Sequence, residues 1–131
     1  MIIGLGIDIV ENKRIANAIE KYGGRFVNRC FCTNEIIQSK KQLNQINFFS
    51  KRYAAKEACA KALGTGLAKG VFWKDIEIKN NNLGKPNIKL HNKALDRLKS
   101  ISSNFKTSIE ISISDEKNYS AANVIIFKNE K

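Results

Sequence analysis

The hydrophobic pattern divides the chain into a first half rich in helices and a second half rich in strands. The predicted helices share apolar positions at helical spacing and cover residues 11–21, 25–29, 34–41, 45–63 and 92–101. The predicted strands are apolar or alternate strictly and cover residues 2–10, 75–79, 87–90, 107–114 and 119–127. Helices followed by mainly antiparallel strands predict an α+β fold with a long central helix.

Glycine and polar residues mark the boundaries of these elements. Gly4 and Gly6 predict a close backbone approach within the first strand. Thr33 is a plausible N-cap for the helix that follows it. The central helix should end in a loop over 64–73, which contains three of the eight glycines.

Length and composition indicate one soluble, globular domain spanning 1–131. Residues 1–10 are apolar but have no basic leader, and Asp8 interrupts them, so a buried strand is favoured over a signal peptide. No stretch approaches the roughly 20 apolar residues of a membrane span. Three cysteines and one histidine are too few for a structural zinc site or a disulfide framework, which favours reduced thiols and a cytoplasmic protein.

The net charge of the chain is +11, which arises from 23 Lys and Arg residues against 12 Asp and Glu residues. This charge narrows the range of possible partners. Such a field favours nucleic acid, an acidic protein or a phosphorylated small molecule, without choosing among them. The alternative is that the many Lys, Asn and Ile residues reflect genome composition.

Two cations are out of place on the central helix, FFSKRYAAKEACAKALGTG at 48–66. At about 100° per residue, Arg52 and Lys56 fall inside the apolar arc. Charges beside a core need either a partner carboxylate or a bound anion. Glu57 and Lys61 lie together on another side at i and i+4, where a surface ion pair is the simplest interpretation.

A carboxylate also interrupts the first strand. Asp8 could cap the helix that begins at residue 11, pair with a cation or bind a metal. Glu57 is the obvious second ligand for Mg²⁺, which takes one or two protein carboxylates and completes its shell with water and phosphate oxygens.

The chain resembles the holo-[acyl-carrier-protein] synthase family of small 4'-phosphopantetheinyl transferases, almost from end to end. The resemblance rests on GLGIDIVENKRI at 4–15, Phe31 to Glu35, the block at 48–66, FWKDIEIKNNNLGKPNIKL at 72–90 and EISISDEKNYSAANVII at 110–126. The N-terminal Gly-x-Asp-x-Val-Glu together with Lys-Glu-Ala-x-x-Lys-Ala-x-Gly-Thr-Gly makes it specific.

The resemblance implies a reaction and roles for its residues. A serine hydroxyl of apo acyl carrier protein attacks the pantetheine-side phosphorus of coenzyme A, and 3',5'-ADP leaves. Mg²⁺ would be held by Asp8 and Glu57, and Lys61 would stabilise or protonate the leaving phosphate. A metal-activated water or Glu57 could take the serine proton. Many family members have His where this chain has Glu110 and Asp115, so a histidine base cannot be transferred here.

The resemblance also assigns contacts with coenzyme A. Its phosphates would be bound by Arg52 and Lys56, which supplies the anion that these cations lack. The backbone amides of Gly64, Thr65 and Gly66 would donate to the nucleotide. The Gly-Lys-Pro turn that contains Lys85 and Pro86 would also lie near the nucleotide.

The family further implies two protein partners. The acidic carrier protein would dock on Arg14, Lys21 and Arg25, for which an ordinary solvated face is the alternative. The enzyme would be a homotrimer with active sites between subunits. The main rival function is a small basic RNA-binding module, but aromatic residues (8%) are few and do not alternate with Arg and Lys on a strand.

Overall fold

A computed structural model describes residues 1–67 and 71–129 of the chain. The helices are α1 (Asn12–Tyr22), α2 (Gly24–Cys30), α3 (Thr33–Ser39), α4 (Gln45–Ala62) and α5 (Asn92–Ile101), with a 3-10 turn at Trp73–Asp75. The strands are β1 (Ile2–Glu11), β2 (Ile76–Asn80), β3 (Pro86–Leu90), β4 (Thr107–Asp115) and β5 (Tyr119–Lys128). The predicted α+β class is confirmed, with most element ends within one or two residues. Gly70 of the predicted glycine loop lies outside the described residues.

The strands form two antiparallel sheets. One has the order β1-β5-β4, and the other is the hairpin of β2 and β3. The long helix α4 packs against β1 and β5 and also contacts β2 and β4. Alanines dominate its centre, which allows neighbours to approach on every side; Ala54, Ala55, Ala58 and Ala60 are fully buried. The predicted central helix is therefore the core of the molecule.

Gly4 and Gly6 allow β1 to lie directly on α4, as the sequence predicts. A Cβ atom at Gly6 would sit 1.9 Å from the Ala58 carbonyl oxygen, and one at Gly4 would sit 2.2 Å from that of Ala62. Both distances are far below any tolerated contact, and the obstacles are rigid backbone. These glycines therefore determine how closely the strand approaches the C-terminal half of α4.

The prediction of a fully buried first strand is wrong for one of its faces. Leu5, Ile7 and Ile9 are 65%, 66% and 65% exposed, whereas Gly6 and Val10 on the opposite face are buried. The reason is that α4 covers only one face of the three-stranded sheet, and side chains alternate along a strand. An apolar stripe therefore remains on the outer face of this chain.

Smaller differences have local causes. Cys32, not Thr33, is the N-cap of α3, and the Glu35 carboxylate accepts the Cys32 amide proton at 2.9 Å. Glu77, a polar position of the alternating strand β2, is buried, and His91 and Asn34 bond to its carboxylate. Among the described residues, no helix is long and apolar enough to cross a membrane.

The three cysteines are free thiols. Burial raises the pKa of Cys30 and of Cys32 to about 11 and that of Cys59 to about 12. Protonated, buried thiols act as packing groups. The sequence predicts that these cysteines are reduced thiols used for packing, and their environment agrees with that prediction.

Candidate active site

The close approach of β1 to α4 brings Asp8 to Lys61. The Lys61 ammonium lies 3.1 Å from Asp8 Oδ1 and also donates to the Ile7 carbonyl at 3.0 Å. The Asp8 side chain is 16% exposed, whereas that of Lys61 is 50% exposed. Lys61 thus reaches across to the strand and leaves its ammonium partly open to solvent.

Glu57 adds a second carboxylate at the junction of β1 and α4. Burial raises the pKa of Glu57, and the nearby charge of Asp8 raises it further, while Lys61 and Arg14 oppose the shift. A carboxylate whose charge is disfavoured by burial and by a second carboxylate forms a site that a divalent cation would stabilise. The donor set fits Mg²⁺, which needs only one or two protein carboxylates. Within residues 1–67 and 71–129, no group of three or more His, Cys, Asp and Glu could hold a metal ion without outside ligands.

The alternative role of Asp8 as a helix cap is contradicted. Glu11 occupies the N-cap position of α1, and no side chain caps that end. The Asp8 carboxylate instead accepts from Lys61. A cation is therefore its partner within this chain.

Lys56 has a protein partner, and its assignment to a phosphate of coenzyme A is therefore wrong. The side chain is completely buried, and Nζ lies 2.7 Å from Glu35 Oε1. The same ammonium donates to the carbonyls of Trp73, at 3.0 Å, and Ile76. An ammonium has three protons, and here all three have acceptors inside the protein. Of the two partners that the sequence left open, the structure supplies the carboxylate.

Glu35 is the residue that sequence reasoning missed. It lies in the first turn of α3. Its carboxylate is 1% exposed and accepts from backbone amides at both Cys32 and Ile78. A partial signal was available, because two cations in an apolar arc need either a partner carboxylate or a bound anion. What the sequence lacked was the tertiary contact between α3 and α4.

Arg52 differs from Lys56 because it faces a cleft. Its guanidinium lies 3.7 Å from Glu35 Oε2, donates to the Ile78 carbonyl and bonds to Asn80 Oδ1 at 2.8 Å. Burial lowers the pKa of Arg52, and the charges of Glu35 and Glu77 oppose that shift. Since Lys56 already neutralises Glu35 at close range, the positive charge of Arg52 remains available to an anion.

The cleft beside Arg52 has a volume of about 770 Å³. Its lining includes Lys51, Lys79, Gly84 and Pro86 as well as Arg52. The lining also contains the carboxylates of Glu35, Glu77 and Asp115, and Gly84 and Pro86 of the Gly-Lys-Pro turn border it. The predicted phosphate cation and the predicted turn share one cleft.

Other polar groups near this cleft have partners of their own. Lys85 forms an exposed pair with Glu110 at 3.2 Å, so Glu110 is a surface residue of β4 in contact with the turn. Asp115, which also lines the cleft, accepts a hydrogen bond from Asn47 at 2.7 Å.

The turn Gly64-Thr65-Gly66 ends α4. Its three N–H groups donate to helix carbonyls, that of Gly64 to Lys61 and those of Thr65 and Gly66 to Ala60. Positive φ angles of 82° and 57° at Gly64 and Gly66 make this possible. The C-terminal end of a helix also carries partial negative charge, which disfavours phosphate. These amides therefore already have partners at the end of the helix, and their contact with the nucleotide stays a prediction.

The three predicted docking cations are exposed on α1 and α2. Arg14 donates to the Tyr53 hydroxyl at 3.3 Å, and Lys21 lies 5.2 Å from the ring of Tyr22. Arg25 is in the first turn of α2. The charge of Arg14 opposes the rise in the pKa of Glu57, so this cation and that carboxylate interact electrostatically.

Comparison with known proteins identifies the family. Residues 4–123 match the model of the 4'-phosphopantetheinyl transferase superfamily. The holo-[acyl-carrier-protein] synthase of Sinorhizobium fredii is 46% identical over 127 residues, covering 96% of this chain and 91% of that protein. This chain belongs to the 4'-phosphopantetheinyl transferase superfamily, and the resemblance drawn from its motifs is confirmed.

Solved structures agree with this assignment. The holo-[acyl-carrier-protein] synthase of Neisseria meningitidis superposes with a TM-score of 0.86 at 35% identity, covering 98% of this chain and all of that one (100%). The Helicobacter pylori enzyme, solved in complex with coenzyme A, gives 0.78 at 30% identity, covering 94% and 99% of the two chains. The comparisons give no support to the RNA-binding alternative.

Proposed function

We propose that this protein transfers the 4'-phosphopantetheine group of coenzyme A to a serine of apo acyl carrier protein, releasing 3',5'-ADP. The observation that carries the proposal is the junction of β1 and α4, where Asp8, Glu57 and Lys61 come together. The names of the relatives and the coenzyme A complex of a structural neighbour support the same reaction.

Asp8 and Glu57 are the residues that would hold Mg²⁺. When bound, the ion supplies positive charge against the transferring phosphoryl group and orients its oxygens. Lys61 pairs with Asp8 and offers a half-exposed ammonium to the leaving phosphate. The raised pKa of Glu57 brings this carboxylate closer to the range in which a group accepts a proton at neutral pH.

The cleft at Arg52 is the proposed site for a phosphate of coenzyme A. Arg52 supplies a planar cation with several N–H donors, the geometry that suits phosphate. Lys85 and Pro86 form the neighbouring turn, against which the nucleotide would lie. Lys56 supports this wall from inside by neutralising Glu35 and does not itself contact the ligand.

Arg14, Lys21 and Arg25 form the proposed docking face for the acidic carrier protein. Their exposure and the net charge of +11 favour an acidic partner. Since Arg14 interacts electrostatically with Glu57, a carrier docked there would present its serine toward the carboxylates.

The enzyme is proposed to be a single-domain homotrimer of the cytoplasm. The supporting observation is the apolar stripe of Leu5, Ile7 and Ile9 on the uncovered face of β1, each about two-thirds exposed. A continuous apolar stripe of this kind is typical of a surface that another protein covers. A second copy of this chain is the proposed cover.

Mass spectrometry of apo acyl carrier protein tests the proposal. Incubation with the enzyme, coenzyme A and Mg²⁺ should add the mass of phosphopantetheine, and chelation of the metal should prevent it. Glu57→Gln should abolish the gain, whereas Asp96→Asn, which removes an exposed carboxylate of α5, should not. No gain with any of several carrier proteins would overturn the assignment.

A further inference from the structure

The side chain of Asn80 connects Arg52 with the Gly-Lys-Pro turn. Its Oδ1 accepts from Arg52 Nη2 at 2.8 Å, and its Nδ2 donates to the Gly84 carbonyl at 2.9 Å. Both hydrogen bonds use one planar amide, so the orientation of the guanidinium and that of the turn are linked. Arg52, Asn80 and Gly84 all line the same cleft.

Asn80 is exposed at the end of β2 and adds nothing to the core. The turn is also held without it, because Asn81 Oδ1 accepts the amide protons of Leu83 and Lys85, each at 2.9 Å. No neighbouring residue of the turn therefore duplicates the hydrogen bond between Asn80 and Arg52.

Arg52 needs such a partner on its cleft side. On its inner side it bonds to the Ile78 carbonyl and lies 3.7 Å from Glu35, a carboxylate that Lys56 approaches more closely at 2.7 Å. An arginine with a neutral acceptor on its outer side is held in place while its charge remains available. A carboxylate in the place of Asn80 would compete with an incoming anion.

We propose that Asn80 is a positioning residue that holds the Arg52 guanidinium toward the phosphate-binding wall of the cleft. The inference rests on the proposed function in taking that phosphate from coenzyme A or from its product 3',5'-ADP. Asn80 does not touch the reacting atoms. It should therefore affect the binding of the nucleotide and leave the chemical step unchanged.

Two measurements test Asn80→Ala: the kinetics of transfer and the equilibrium binding of 3',5'-ADP by calorimetry. We expect the KM for coenzyme A and the Kd for 3',5'-ADP to rise roughly 3- to 10-fold, the worth of one ordinary hydrogen bond, because Asn80 acts on the ligand only through Arg52. The value of kcat should stay within about twofold and the thermal midpoint should not move. Asn82→Ala, which shortens an exposed neighbour in the same turn, should match the wild type.

A double-mutant cycle with Arg52→Lys separates positioning from a general effect on the turn. Lysine keeps the charge but loses the planar fork, so Asn80→Ala should have little further effect in that background. Equal losses in both backgrounds, or unchanged binding in Asn80→Ala, would overturn the proposal. If the wild type transfers nothing but Asn80→Ala weakens 3',5'-ADP binding, the proposed function fails and the positioning role stands.

Discussion

Two sides of α4 accommodate charge in opposite ways. On the side that meets α3, Lys56 is fully buried and its ammonium is satisfied by Glu35 and two carbonyls. On the side that meets β1, the ammonium of Lys61 is half exposed and the carboxylates of Asp8 and Glu57 lie close enough for their charges to interact. One lysine completes an internal network, and the other lies in the proposed active site.

This comparison shows that a charged residue on a buried helix is not by itself a sign of a binding site. Lys56 and Lys61 are the same residue type on one helix, separated by little more than one turn. What separates them is the neighbouring element: α3 brings a buried carboxylate to Lys56, whereas β1 brings Asp8 to Lys61 at the surface. The first contact stabilises the fold, and the second lies in the proposed active site.

The largest effect should come from Lys56→Met. Removing one partner of a buried ion pair leaves the Glu35 carboxylate without its nearest cation, which costs about 3–5 kcal/mol of unfolding free energy. Lys61→Met removes a half-exposed pair and should cost about 1 kcal/mol or less. Urea denaturation measures both. A loss below 1 kcal/mol for Lys56→Met would contradict the contrast, and adding Glu35→Gln to it should restore part of the stability.

Lys56→Met and Lys61→Met should also differ in their effect on the rate of transfer. Lys61→Met should lower kcat about 10²-fold or more, because the leaving phosphate loses a positioned cation or acid. Its thermal midpoint should remain close to that of the wild type. Steady-state kinetics at saturating coenzyme A and carrier protein measure this. A variant with normal kcat would show that Lys61 serves only to pair with Asp8.

The smallest expected effect is a pH dependence of the unfolding free energy, which comes from the buried carboxylate of Glu77. Burial raises the pKa of Glu77, but hydrogen bonds from His91 and Asn34 outweigh it, and the net pKa lies below the ordinary 4.5. A lowered folded-state pKa stabilises the protein above pH 4.5, and this contribution is lost as the pH falls through the folded-state value.

Glu77→Gln should therefore destabilise the protein by about 1–3 kcal/mol at pH 6, the worth of hydrogen bonds to a charged group. The difference from the wild type should shrink toward pH 3. Thermal unfolding across that range measures it, with Glu110→Gln as an exposed control carboxylate. A difference that does not change with pH would mean that the charge of Glu77 contributes nothing.

The sequence alone predicted the elements, the family and the three residues that meet at the junction of β1 and α4. Helical spacing predicted α4, and Gly4 and Gly6 predicted a close backbone approach, which the structure shows between β1 and α4. Asp8, Glu57 and Lys61 could be selected because a carboxylate within an apolar strand and a Glu-Lys pair before a glycine turn are local patterns. The family match rests on the same local motifs.

The tertiary structure decided which charges remain available. Glu35 is separated from Lys56 by 21 positions in sequence, and no periodicity reveals that their side chains meet at 2.7 Å. The amides of Gly64, Thr65 and Gly66 could be assigned only once their helix carbonyl partners were placed. Local spacing shows which groups are able to bind, whereas their availability depends on partners distant in sequence, because a buried donor or charge must find an acceptor inside the fold.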